Sequence, residues 1–230
     1  MAAGLMVIVW VFIYFLLPEI NPSYKGTYKN LLASMLHLVK NEPTLRIAAV
    51  RGALCFACFS AFWTTLAFLL KQNFNQGSDI AGLFGLVGAS GALAAGMMGR
   101  LSDRMDAFRL TTATIILLIL SFVIFIFSGY SIVGLVIGVI AMDMGMQATH
   151  LSNQALIFAL DPNARNRINT IYMVTYFLGG AAGSYISSQV WYTYQWNGVC
   201  IMCIVISTIA LFVHLINRKK LQRKPTIVQS

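Results

Sequence analysis

Four polar residues in one apolar stretch have the types and spacing to do chemistry. Asp143, Gln147, His150 and Gln154 lie between Ile132 and Leu160, in IVGLVIGVIAMDMGMQATHLSNQALIFAL, spaced 4, 3 and 4 residues apart. At 3.6 residues per turn they share one helix face, and its flanks are mostly Met, Leu, Val and Ala. A bilayer-spanning helix must turn such a stripe away from lipid, into protein or a water-filled cavity. With entry near Ile132, Asp143 lies about 16 Å deep, close to the midplane. A carboxyl group there is suited to taking up and releasing a proton or to contacting a solute. The plainer reading is that the stripe joins helices by hydrogen bonds. That reading is weakest for Asp143, because Asn or Ser would serve as cheaper glue. His150 lies nearer the inner surface.

A second stripe follows a short loop. Asn169, Tyr172, Tyr176 and Ser187 fall on one face of the next apolar run. The two stripes can line one cavity. The plainer reading of the tyrosines is interhelical packing with a hydrogen bond.

These residues need helices in lipid to position them, and composition demands the same. The 230 residues are 58% hydrophobic and 10% charged, with mean hydropathy +0.75. A soluble domain carries about 25% charged residues. Lipid cannot satisfy open backbone groups, so apolar windows of about 20 residues must be helical. Seven spans are expected: about Ala2–Leu17, Ile47–Leu70, Ile80–Met98, Leu110–Tyr130, Ile132–Leu160, Ile168–Trp191 and Val199–Ile216. The fold class is an all-α integral membrane protein. Between the first two spans, Leu31, Leu32, Met35, Leu36 and Val39 recur at helical spacing among Lys29, His37 and Lys40, which reads as an amphipathic surface helix. No basic residue precedes the first apolar run, so it does not read as a cleavable leader.

The net charge of +9 would suit a nucleic acid, but its placement excludes that partner. Lys25, Lys29, Lys40, Arg46, Arg100, Arg104, Arg109, Arg165, Arg167 and the tail from Arg218 to Lys224 fall in alternate loops. The positive-inside rule then places the N-terminus outside and the C-terminus in the cytoplasm, in a plasma (inner) membrane. Arg51 stands about one turn inside the second span, from which its long stem can snorkel to the inner surface. Direct pairing with Asp143 is the lesser expectation. The pairs Cys55/Cys58 and Cys200/Cys203 resemble metal motifs only in spacing. They lie in apolar helices at different expected depths and read as small fillers.

Small residues recur every three or four positions in the third span, including Gly85 and Gly88, and in the sixth, at Gly179, Gly180 and Gly183. That pattern lets helix backbones approach closely. No nucleophile, metal or nucleotide constellation is present, so no enzyme, cofactor or metal is expected. GASGALAAG follows no strand and reads as packing.

After the third span the sequence runs Gly99-Arg-Leu101-Ser-Asp103-Arg104-Met-Asp106-Ala-Phe-Arg109. This resembles the loop motif G-x-L-[AS]-D-R-x-G-[RK] of the major facilitator superfamily. It matches at Gly99, Leu101, Asp103 and Arg104 and departs at Asp106, where the motif prefers Gly. Such erosion is typical of the motif's second copy. The loop Asp161-Pro162-Asn-Ala-Arg165-Asn-Arg167 and the run from Asn169 to Ser184 resemble the loop before the family's eleventh helix and that helix, especially in the drug- and sugar-efflux branch. The resemblance implies the C-terminal half of a transporter, helices six to twelve. Residues 1–20 would be helix six, 21–46 the cytoplasmic linker, 47–217 the six-helix half-bundle and 218–230 the basic tail. It further implies secondary, proton-coupled efflux of a small solute, with Asp103 and Arg104 latching the inward side. A missing N-terminal half or a second copy would complete the pathway. The rivals are a seven-helix receptor, disfavoured as a retinal pigment because the last span has no Lys, and a truncated or regulatory half that moves nothing.

Overall fold

Helix ends in this chain are written by local chemistry. Asp106 accepts a hydrogen bond from the Arg109 amide and starts one helix. Ser131 accepts from the Gly134 amide and starts the next. Pro43 opens another at a position where its missing N–H costs nothing. That helix stops where Asn75 enters the left-handed region (φ 51°) and its amide returns to Leu70 O. Asp161 holds the Asn163 amide at 2.8 Å as Pro162 begins a 3-10 turn.

The computed structural model describes residues 2–16, 27–76, 80, 82–88 and 106–221. Within them the order is α1 (Ala2–Leu16), α2 (Tyr28–Asn41), α3 (Pro43–Phe74), α4 (82–88), α5 (Ala107–Phe127), α6 (Ile132–Phe158), α7 (Arg165–Ile216) and the short α8 (Arg218–Leu221). The described residues form helices and their connections, with no strand. Four segments, built on α3, α5, α6 and α7, are long and apolar enough to cross a membrane. The loop residues Gly99, Leu101, Asp103 and Arg104 lie outside the described residues, as do the last part of the third expected span and residues 222–230.

The chain divides into two units, Met1–Ser34 and Met35–Ser230. The first contains the 15-residue α1, shorter than the roughly 20 residues that cross a bilayer squarely. In the second, the Arg46 guanidinium donates to Val39 O (2.7 Å) and Lys40 O (2.5 Å) at the end of α2. A basic group there meets the unpaired carbonyls of the last turn.

The helix α7 has 52 residues, about 78 Å if straight, far more than one crossing needs. It breaks at Gln195 (φ 53°, ψ −154°). The contacts show that its two limbs are antiparallel. Gly179 and Gly183 abut Ala53 and Ala57 in ascending order along α3. On the second limb, Cys203 meets Cys58 while the later His214 meets the earlier Arg51. By the same reasoning α6 runs against α5, since Gly138 packs on Phe125 and Gly145 on Thr114 and Leu118. The bundle therefore alternates up and down. Its basic ends, at Arg46, Arg109, Arg165, Arg167 and Arg218–Lys220, gather on one side.

The core runs along α3 and includes Cys55, Cys58, Phe62, Ile115, Phe122, Phe125, Met142 and Tyr172. Phe62 stacks on Phe125 at 4.5 Å, and Trp196 Nε1 donates to Phe125 O at 2.8 Å. All four cysteines are free and buried. Cys203 stands level with Cys58, whose sulfur is 3.4 Å from Cys203 O. The expectation of separate depths for the two pairs does not hold for these two, because the antiparallel limb brings Cys203 down beside α3.

Glycine sets the closest approaches. A Cβ on Gly179 would run into Ala53 O, one on Gly183 into Ala57 O, and one on Gly180 into Phe56 and Ser60. A Cβ at Gly85 meets nothing within 4 Å among the described residues.

Candidate functional site

The face of α6 that points inward is rotated slightly from the stripe read in the sequence. Met142, Asp143, Met146, Thr149 and Asn153 are buried. His150 and Gln154 are half-buried, and Gln147 is exposed. The stripe thus lies along the margin of the bundle, with Asp143 turned in and Gln147 turned out.

Asp143 is 3% exposed, yet its Oδ2 makes no hydrogen bond among the described residues. A Cβ on Gly88 would sit 2.8 Å from that oxygen and 3.2 Å from Trp63 Cζ2. The carboxyl of α6 and the indole of α3 therefore converge on the bare backbone of α4. Any larger residue at 88 would displace one of them. Trp63 Nε1 is also buried without a partner among the described residues. An unsatisfied buried polar group costs free energy, so such groups need an explanation in strain or function. A third orphan is Asn169 Oδ1, on a residue that is itself half-buried.

Closer to the basic end the polar groups are bonded to one another. Arg51, 1% exposed, donates through Nε to Asn153 Oδ1 at 2.8 Å, and its Nη2 contacts the same oxygen. Its Nη1 lies 2.5 Å from His214 Nδ1. Asn153 Nδ2 donates to Tyr172 Oη at 3.3 Å, and Tyr172 Oη lies 3.1 Å from His150 Nδ1. His214 Nε2 lies 3.1 Å from Phe108 O and 3.0 Å from Thr112 Oγ1. One chain of hydrogen bonds thus ties α3, α5, α6 and both limbs of α7 together.

This corrects the expectation for Arg51. It neither snorkels to the surface nor reaches Asp143, because Asn153 and His214 satisfy it within the core. The sequence reading missed Asn153 and His214. His214 was visible as an ionisable group in an apolar helix, the usual flag for an intramembrane site. Asn153 offered less signal, since it is one position from Gln154 and its face depends on the helix's rotation.

Of the residues expected at the site, His150, Tyr172 and Tyr176 do meet. The His150 ring is 4.8 Å from Tyr176, and Tyr176 stacks on Phe56 at 4.0 Å. Phe56 continues to Phe59 at 5.7 Å, and Phe59 to Trp63 at 6.1 Å. A half-buried aromatic row therefore leads along α3 from His150 towards the indole beside Asp143. No hydrogen bond joins Gln147, Gln154 or Asn169 to these residues among the described ones. Neither a metal-binding cluster nor an ion pair is found among the described residues of this site.

The described residues thus form a helical bundle with segments long and apolar enough to cross a membrane and a buried carboxyl group without a partner among them, and the comparisons give its family. The family model of the Major Facilitator Superfamily matches residues 1–184, and the chain belongs to that family. It is 39% identical over 198 residues to the uncharacterized transporter YgaY of Escherichia coli O157:H7, covering 86% of this chain and 50% of that protein. The match to YgaY of strain K12 has the same extent. It is 31% identical over 201 residues to "Probable transporter SCO4007" of Streptomyces coelicolor, covering 86% of this chain and 46% of that protein. The chain spans about half the length of these relatives. It is thus a transporter-family protein with apolar helices for a membrane.

Proposed function

We propose that this chain forms the C-terminal half of a secondary active transporter that exports a small solute in exchange for protons. The observation that carries the reading is Asp143. It is a buried carboxyl group near the middle of a membrane helix, and no donor or counter-charge among the described residues holds it. Either a proton or a cationic or donor group of the solute can satisfy it. Competition between the two at one group is the simplest physical basis for exchange. Gln147, His150, Gln154, Asn169, Tyr172 and Tyr176 would border the pathway. Gln147 is exposed and His150, Gln154 and Asn169 are half-buried, where the other half would face them, while Tyr172 and Tyr176 are buried. Gly99, Leu101, Asp103 and Arg104 would form the inward latch. The seven spans would place the basic ends in the cytoplasm, beneath a plasma membrane, with the N-terminus outside.

The test uses the full two-half transporter in proteoliposomes with an imposed pH gradient. A panel of radiolabelled monosaccharides, aromatic carboxylates and lipophilic cations is screened for proton-driven flux. Asp143→Asn should abolish the coupled component while the protein remains folded. Coupled flux that survives this substitution would remove Asp143 from the mechanism.

A further inference from the structure

We propose that Arg51 is a positioning residue that holds His150 in one tautomer, with its Nε2–H offered to an oxygen acceptor on the transported solute. The solute contact rests on the pathway proposed above; the tautomer does not. Arginine can only donate hydrogen bonds, and this fixes the direction of every bond in the chain. Arg51 donates from Nε to Asn153 Oδ1, so the Asn153 amide must turn its Nδ2 to Tyr172 Oη. Tyr172 then accepts from Asn153 and has one proton left to donate. Its one other hydrogen-bond neighbour among the described residues is His150 Nδ1. A buried hydroxyl proton left unbonded costs free energy, so Tyr172 donates to that nitrogen and the ring proton of the neutral imidazole sits on Nε2.

The other arm obeys the same logic. Arg51 Nη1 donates to His214 Nδ1, which leaves His214 Nε2–H facing the Phe108 carbonyl. Each buried histidine is set by the bond its other nitrogen makes. The two differ in what their Nε2 meets. That of His214 is satisfied by Phe108 O. That of His150 has no partner among the described residues, on a half-buried ring beside Tyr176 and Phe56. A donor with a fixed direction next to an aromatic wall fits a solute that carries a carbonyl, hydroxyl or carboxylate oxygen beside an apolar ring.

The test reads the tautomer directly. The full-length transporter, labelled with 15N-histidine and placed in lipid nanodiscs, should give a His150 signal with Nε2 protonated and Nδ1 bare. The signal is assigned by its loss in His150→Gln. Asn153→Asp is the decisive variant. Aspartate still pairs with Arg51 but can only accept, so Tyr172 must donate to it. His150 should then switch to the Nδ1–H form. Arg51→Lys, which still donates to Asn153, should keep the wild-type tautomer, and Tyr172→Phe should leave a mixture. A wild-type His150 protonated on Nδ1, or an Asn153→Asp signal identical to wild type, overturns the proposal. For the solute contact, flux is measured for the first member of the panel that the wild-type protein moves. His150→Gln, whose amide still donates, should keep it within threefold, and His150→Leu should lower it at least tenfold. Equal flux in the two variants would remove the donor role. Because the tautomer is read without flux, it stands or falls separately from the role of Asp143.

Discussion

Two polar regions sit in the same apolar bundle and are built on opposite plans. Around Arg51 the polar groups are joined to one another: Asn153, Tyr172, His150 and His214 form a bonded set tied to Phe108 and Thr112, with His150 Nε2 left over at its edge. Around Gly88, Asp143 Oδ2 and the carbon edge of the Trp63 indole meet a bare backbone, and neither Asp143 Oδ2 nor Trp63 Nε1 has a hydrogen-bond partner among the described residues. Bonded polar groups in a dry interior hold one arrangement. Unsatisfied ones raise the energy of that arrangement and are kept where a ligand or proton is to complete them. The contrast lies within the same helix α6, where Asn153 belongs to the bonded set and Asp143 to the unbonded pair; on the function proposed above, the second would be the working site.

The comparison is broken most directly by Arg51→Met. It strands Asn153 Oδ1 and His214 Nδ1 together, and we expect a loss of about 3 kcal/mol, read by thermal unfolding in detergent. A loss below about 1 kcal/mol would mean that the bonded set does not hold the helices. Next comes Gly183→Val, which forces a side chain against Ala57 O and should cost about 2 kcal/mol. Gly85→Ala, in open space, should stay within about 0.5 kcal/mol of wild type. If the two glycines respond alike in the same unfolding assay, the close packing of α3 on α7 is not what glycine supplies there.

Two tryptophans test the contrast more finely. Trp196→Phe removes the donor to Phe125 O and should cost about 1 kcal/mol. Trp63→Phe removes a donor that has no partner among the described residues and should cost almost nothing in hydrogen bonding, its ring packing being retained. Circular dichroism melts of the pair decide this, and the reverse order would contradict the division into bonded and orphaned groups. The smallest change in stability is expected for Asp143→Asn, within about 1 kcal/mol, although proton-coupled flux should fall at least tenfold.

Much of the scaffold is legible in the amino-acid sequence. Apolar runs of spanning length can only be helices, since hydrocarbon leaves backbone groups no other partner. Basic residues in alternate loops predict that the helices alternate, and the antiparallel limbs of α7 put those charges at one end. Caps such as Asp106 and Ser131 mark starts by their own side chains. The site is legible only in part. Asp143, His150, Tyr172 and Tyr176 stand out as polar groups in apolar helices, and Trp63 does not, because an indole passes as an ordinary apolar filler.

What the sequence determined alone was local or set by lipid: which segments are helices, where most of them end, and on which side the charges gather. The tertiary structure decided which polar groups are paired. Arg51 meets partners 102 and 163 residues away, and Asn153 rather than Gln154 faces it because α6 is turned by the helices it packs on. A helical period assigns residues to faces, but it carries no information on what another helix will bring opposite each face. The turn at Gln195 belongs to the first class: it falls between the spans expected at Ile168–Trp191 and Val199–Ile216, because 52 residues of helix are far more than one crossing needs.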